Sequence, residues 1–148
     1  MRTYLLIANR TLGGPALRQA IADRLAGGQA RFHVVVPASH EPGFMEQVID
    51  AYAGEPDRAV VADDWERAHE RLQRELRRLR SLGADALGEV GDADPLRAAA
   101  DALPAGPFDE VILSTLPAGF SHWLGMDLPH RLGRALGRPI THVEGPAD

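Results

Sequence analysis

The sequence predicts an α/β fold: an open, parallel, five-stranded sheet with helices on both faces, formed as one domain over residues 1–148. Three observations carry this. Short apolar runs rich in β-branched residues alternate with segments of helical periodicity, the pattern of successive β-α units. The runs are continuous rather than alternating, as expected of strands covered on both faces. Glycine or proline marks most of the junctions between them.

Tyr4-Leu5-Leu6-Ile7-Ala8 reads as a central strand. Asn9 to Pro15 forms a turn with Pro15 at a first helical position, and Leu17, Ile21 and Leu25 keep helical spacing until Gly27-Gly28 ends the helix. Phe32 to Val36 is the second strand, stopped by Pro37, which has no N–H to offer a ladder. Residues 37 to 61 form a long excursion punctuated by Pro42, Gly43, Gly54 and Pro56, with Phe44, Val48, Ile49 and Tyr52 spaced like one small amphipathic helix.

The next helix is expected to start at Asp63, an N-cap answered by Glu66 three residues on, and to stop at Gly83. Its buried stripe is Trp65, Ala68, Leu72, Leu76, Leu79 and Leu82. Asp63/Arg67, Glu70/Arg74 and Arg71/Glu75 stand four apart on an exposed, solvated face. A third strand over Ala86 to Val90 leads through Gly91-Asp92-Ala93-Asp94-Pro95 to a short helix, Leu96 to Leu103. Phe108 and Val111-Ile112-Leu113 make a fourth strand, from which Ser114 to Gly119 leads into one helix reaching Leu136 and ended by Gly137. Pro139 to Val143 is the last strand, and right-handed crossovers join the series.

Composition excludes several chemistries. With no cysteine there are no disulfides, thiolate nucleophiles or cysteine-bound metals. All sixteen basic residues are arginine, so neither a Schiff-base lysine nor a P-loop lysine can operate. A formal net charge of −5 argues against general nucleic-acid binding. No apolar run approaches the roughly 20 residues of a membrane helix, and the N-terminus lacks signal-peptide organisation, so no membrane association and a cytoplasmic location are expected. His69-Glu70 lacks the second histidine of a zinc helix, and His122 and His130, with Asp127 between them, lie too far apart along a helix to share an ion. His33 reads as a core or half-buried histidine, and Trp65 and Trp123 as packing residues. No nucleophile is paired with a base, so no catalytic residue and no metal site is expected.

Gly91-Asp92 with Pro95 opening a helix, the segment Asp109-Glu110-Val111-Ile112-Leu113-Ser114, and the closing unit from Asp109 to Val143 resemble the universal stress protein family over nearly the whole chain. The resemblance implies a Rossmann-like, adenine nucleotide alpha hydrolase-like fold. It also implies homodimers paired through the last strand, here Pro139 to Val143, and, in one branch, ATP bound at the carboxyl ends of the strands. Open α/β sheets bind ligands in that crevice on general grounds. Here Asn9 to Thr11, Ser39 to His40 and Ser114 to Ser121 would frame it.

ATP-binding members carry a glycine, two residues, a second glycine, nine residues, then glycine followed by Ser or Thr, so that backbone N–H groups approach phosphate. With Ser121 and Arg131 matched to the family's Ser and Arg, Leu113 and Leu116 fall on the first two glycines and Met126-Asp127 on the Gly-Ser pair. The leucines would add bulk in the cleft, Asp127 would set a carboxylate where a hydroxyl should donate, and Pro117 removes an N–H. The family's acid after the first strand is here Asn9 or Arg10. The resemblance therefore implies a non-catalytic stress-response or regulatory module, homodimeric and able to engage a protein partner, with no resident cofactor and no usual ATP binding. Another reading stays open: a nucleotide- or anion-binding protein that holds ATP or another anion through Asn9, Thr11, Ser114, Thr115, Gly119 and Ser121. Ordinary N-capping by Ser114, Thr115 or Ser121 competes with it. A third is a small-ligand protein with residues 38 to 60 as a lid.

Overall fold

The computed structural model describes residues 1–38, 58–117 and 121–146, the side chains of residues 58–64 and 122 excepted. Its strands are β1 (Arg2–Ile7), β2 (Ala30–Pro37), β3 (Asp85–Gly91), β4 (Glu110–Thr115) and β5 (Ile140–Glu144), paired in parallel in the order β3-β2-β1-β4-β5. This is the expected five-stranded α/β sheet. The chain steps from β1 to β2 to β3 in one direction, then returns across the sheet to β4 and β5. Right-handed crossovers therefore put α1 (Pro15–Ala26) and α2 (Arg58–Ser81) on one face, and α3 (Pro95–Ala102), α4 (His122–Gly125) and α5 (Leu128–Leu136) on the other.

Each face has its own core. Leu6, Ala8, Val34, Val36 and Ile112 meet Leu17, Ile21, Leu72, Leu76 and Leu79 of α1 and α2. Leu5, Ile7, Val35, Val111 and Leu113 meet Ala98, Ala99, Trp123, Leu128 and Leu132. Leu5 to Ala8 are all fully buried, which is why β1 reads as an unbroken apolar run. The register sets Ile7 opposite both Val35 and Leu113, so the exits of β1, β2 and β4 lie side by side. That alignment positions the site.

The long helix begins earlier than expected. It runs from Arg58, so Asp63 lies inside it rather than at its N-cap, because no glycine or proline interrupts the chain between Pro56 and Gly83. Trp65 does not join the buried stripe: it is 48% exposed and stacks on His69, four residues on, with ring centroids 5.0 Å apart. Leu82, past the end of the helix, is also exposed. Glu75, placed on the solvated face by its spacing, is buried, with Arg78 Nη2 and Nε donating to its carboxylate at 2.5 and 3.1 Å.

The single helix expected up to Leu136 is two helices. Asp127 between them adopts a left-handed conformation, φ 55° and ψ 42°. Pro129 explains the break: in a continuous helix it would leave the Gly125 carbonyl without its donor and press its ring on the preceding turn, whereas in the first turn of α5 no donor is needed. Gly137 ends α5 at φ 60°, as the stop signal predicts. His33 and Trp123 are buried, as read. Among the described residues no helix is long and apolar enough to cross a membrane. The small helix expected around Phe44 to Tyr52, the rim residues Ser39 and His40, and the ligand candidate Gly119 lie outside the described residues.

Candidate functional site

At the carboxyl ends of β1 and β4 the fold gathers Asn9, Thr11, Ser114, Thr115 and Ser121, residues far apart in sequence, around one small cleft completed by Arg10, Leu116 and Trp123. Adjacency of β1 and β4 brings residue 11 to residue 114. Each described polar side chain that the sequence singles out then finds a partner within the protein.

Thr11 Oγ1 and Ser114 Oγ share a buried hydrogen bond of 2.6 Å. Thr115 Oγ1 and His142 Nε2 are 2.8 Å apart, tying β4 to β5. Ser121 Oγ accepts from the Leu124 N–H at 3.3 Å, the geometry of an N-cap for α4. Asn9 Nδ2 donates to the Pro37 carbonyl at 2.9 Å, and its Oδ1 accepts from Arg71 Nη1 at 2.9 Å. Turning a hydroxyl away would leave its neighbour unsatisfied, but Ser121 Oγ only accepts here and the Thr11–Ser114 bond uses one of two hydroxyl hydrogens, so these bonds do not use every O–H.

The space left is small. Among the described residues the cleft encloses about 20 Å³, room for about one water molecule. Trp123 packs against it, 4% exposed, and its buried indole Nε1 has no hydrogen-bond partner among the described residues. Leu116 contributes to the lining, in keeping with the bulk expected there. Leu113 does not: its side chain points the other way, fully buried under α3 and α5, because alternation along β4 sends it to the face that Val111 occupies. Asp127 is exposed and is not among the described residues that line the cleft.

No group of three or more metal-ligating side chains occurs among the described residues. Beside the cleft, on the α1/α2 face, sequence reading overlooked a larger feature: Arg71, Arg74 and Arg78 of α2 face Arg10 and Arg18 across a groove of about 380 Å³. Their spacing of three and four residues places them on one helix face, but which surface that face meets is a tertiary fact.

No protein-family model and no curated protein matches the sequence. Solved structures match the fold. The universal stress protein from Archaeoglobus fulgidus superposes with a TM-score of 0.60 at 14% identity, covering 97% of this chain and 93% of that one. A protein from the universal stress protein family from Burkholderia pseudomallei gives 0.54 at 14% identity, covering 95% and 93%. At that identity the likeness is one of architecture. The five-stranded parallel sheet in the order 3-2-1-4-5 has the fold of these universal stress protein structures over nearly the full length.

Proposed function

We propose that this chain is a non-catalytic stress-response or regulatory module on the universal stress fold, whose strand-end cleft does not take ATP in the manner of the ATP-binding branch. One observation carries the reading: Thr11, Ser114, Thr115 and Ser121 are hydrogen-bonded to one another or to the fold, around about 20 Å³ of space. On this reading the bonded side chains and the small space between them, rather than any lack of hydroxyl donors, keep a phosphate out of the strand ends. The test is calorimetric titration with Mg²⁺-ATP of the wild type and of the paired variant Ser114→Ala/Thr115→Ala, with folding checked by circular dichroism. The expected result is that the cleft substitutions leave ATP binding, at whatever strength it occurs, unchanged. A loss of about tenfold or more confined to the cleft variant would overturn the reading.

The module acts, on this proposal, in the cytoplasm as a homodimer that recruits a protein partner. β5 is an edge strand whose residues Ile140 to Val143 are half-exposed, and pairing with its two-fold copy would cover the open ladder. Native mass spectrometry at micromolar concentration should show a dimer. Amide hydrogen exchange at residues 140–144 should slow as concentration rises. A monomer, or a dimer that leaves those amides unprotected, rules this interface out.

A further inference from the structure

The chain carries a net charge of −5, yet it gathers five of its sixteen arginines around a single groove between α1 and α2. Arg10 comes from the turn after β1, Arg18 from the first turns of α1, and Arg71, Arg74 and Arg78 from successive turns of α2. Glu75 is the only carboxylate of the described lining, and Arg78 holds it through two hydrogen bonds. Arg71 is directed by its bond to Asn9. Arg18 and Arg74 are exposed and make no hydrogen bond or ion pair with any described residue.

Guanidinium groups crowded on one concave surface repel one another, and a bound polyanion relieves that repulsion. At about 380 Å³ the groove falls within the range of ligand-binding clefts, but its chemistry is not that of an ordinary organic pocket. Leu12 is the one large apolar side chain in the described lining, and no aromatic ring is present to stack on a base. Arginine's planar fork matches phosphate oxygens bidentately, and several forks around one groove suit a chain of phosphates better than a single one.

We propose that the α1/α2 groove binds a linear oligophosphate, the chemistry of a triphosphate chain, with Arg18 and Arg74 as principal ligands. Asn9 and Glu75 hold Arg71 and Arg78 in position. The site is separate from the strand-end cleft. It owes nothing to the cleft's hydroxyls.

The experiment is calorimetric titration at physiological ionic strength with inorganic tripolyphosphate, ATP and adenosine. The proteins compared are the wild type, Arg18→Ala, Arg74→Ala, their double variant, the cleft variant Ser114→Ala/Thr115→Ala, and Arg97→Ala, an exposed arginine of α3 on the opposite face. Tripolyphosphate should bind saturably at one site. Each groove substitution should weaken it about tenfold or more, the double variant should abolish it, and Arg97→Ala should leave it unchanged. Because Arg18 and Arg74 are exposed, the variants should keep the wild-type melting temperature. ATP binding more tightly than tripolyphosphate identifies a nucleotide as the source of the phosphates, and weaker binding identifies a free oligophosphate. Absence of saturable binding, equal loss in Arg97→Ala, or displacement of tripolyphosphate by adenosine each overturns the proposal. Loss only in Ser114→Ala/Thr115→Ala would overturn it together with the reading of the cleft, whereas loss only in the groove variants leaves that reading intact.

Discussion

Arg71 donates from Nη1 to Oδ1 of Asn9 at 2.9 Å, joining the middle of α2 to the first residues beyond β1. The other side of the same amide donates to the Pro37 carbonyl at the end of β2. Asn9 thus acts as a three-way tie among a helix and two strand ends. It can do so because a carboxamide carries both a donor and an acceptor.

Removing that tie should be costly. Asn9→Ala leaves the Pro37 carbonyl without its donor in a buried setting, and a loss of about 1–3 kcal/mol is expected in urea unfolding. Asn9→Asp keeps the acceptor for Arg71 but cannot donate to Pro37 when ionised, so at neutral pH it should fall between the wild type and Asn9→Ala. Equal stability of all three proteins would show that the two bonds contribute nothing net.

Gly88 sets how closely α2 approaches β3. A Cβ there would lie 2.4 Å from the Val34 carbonyl oxygen and 2.7 Å from Leu72 Cδ1, and the first of these is backbone of the neighbouring strand. Gly88→Ala must therefore push β2 and β3 apart or displace the helix, with an expected destabilisation of about 1–3 kcal/mol. Pairing it with Leu72→Ala relieves only the side-chain clash, so the double variant should not regain wild-type stability. Thermal or urea unfolding of both variants decides the matter.

Much of the fold was legible because parallel strands buried on both faces leave nearly continuous apolar runs: Leu5 to Ala8, Phe32 to Val36 with only His33 interrupting, and Val111 to Leu113 could be read directly. The stop at Gly137 was legible for a local reason, since the helix ends there in a left-handed residue. Local signals failed where two of them competed. Asp63 with Glu66 looked like a helix start, but the uninterrupted segment before it continued the helix back to Arg58. Pro129 carried the break between α4 and α5, a signal that the expectation of one helix up to Leu136 left out. At the site, the residues after β1 and β4 could be named from the resemblance to the universal stress protein family and the rule that ligands sit beyond strand ends, but not their mutual hydrogen bonds. Leu113 could have been assigned to the core by alternation from Val111. The burial of Glu75 and the arginine groove could not be read, because both depend on where α1 meets α2.

Asp127 holds the left-handed conformation at the joint between α4 and α5, and its side chain makes no capping bond there. Aspartate tolerates that region better than most residues, but glycine adopts it without the Cβ clash. Asp127→Gly should raise stability by up to about 1 kcal/mol, partly offset by the greater freedom of glycine in the unfolded chain. Asp127→Val should lower it by a larger amount, since a β-branched side chain suits this conformation least. A lower melting temperature for the glycine variant would contradict the assigned strain.

At the opposite end of β4, Glu110 lies among Arg24, Thr141 and Arg2, and it gives the molecule a defined acid response. Burial alone would push its carboxyl up. Against that, Arg24 Nη2 donates to it at 2.5 Å, the Thr141 hydroxyl donates to the same oxygen, and the charges of Arg24 and Arg2 add attraction. The balance holds the group below its ordinary value of 4.5. A carboxyl depressed by folding contributes stability that is fully present above its unfolded value and lost as pH falls through the folded one. Glu110→Gln cannot titrate, so it should be less stable than the wild type at pH 7, and the gap should narrow as the solution is taken from about pH 5 to pH 3. Urea unfolding of both proteins at several pH values measures it. A gap that stays constant or widens on acidification would mean that Glu110 titrates no lower in the folded chain than in the unfolded one.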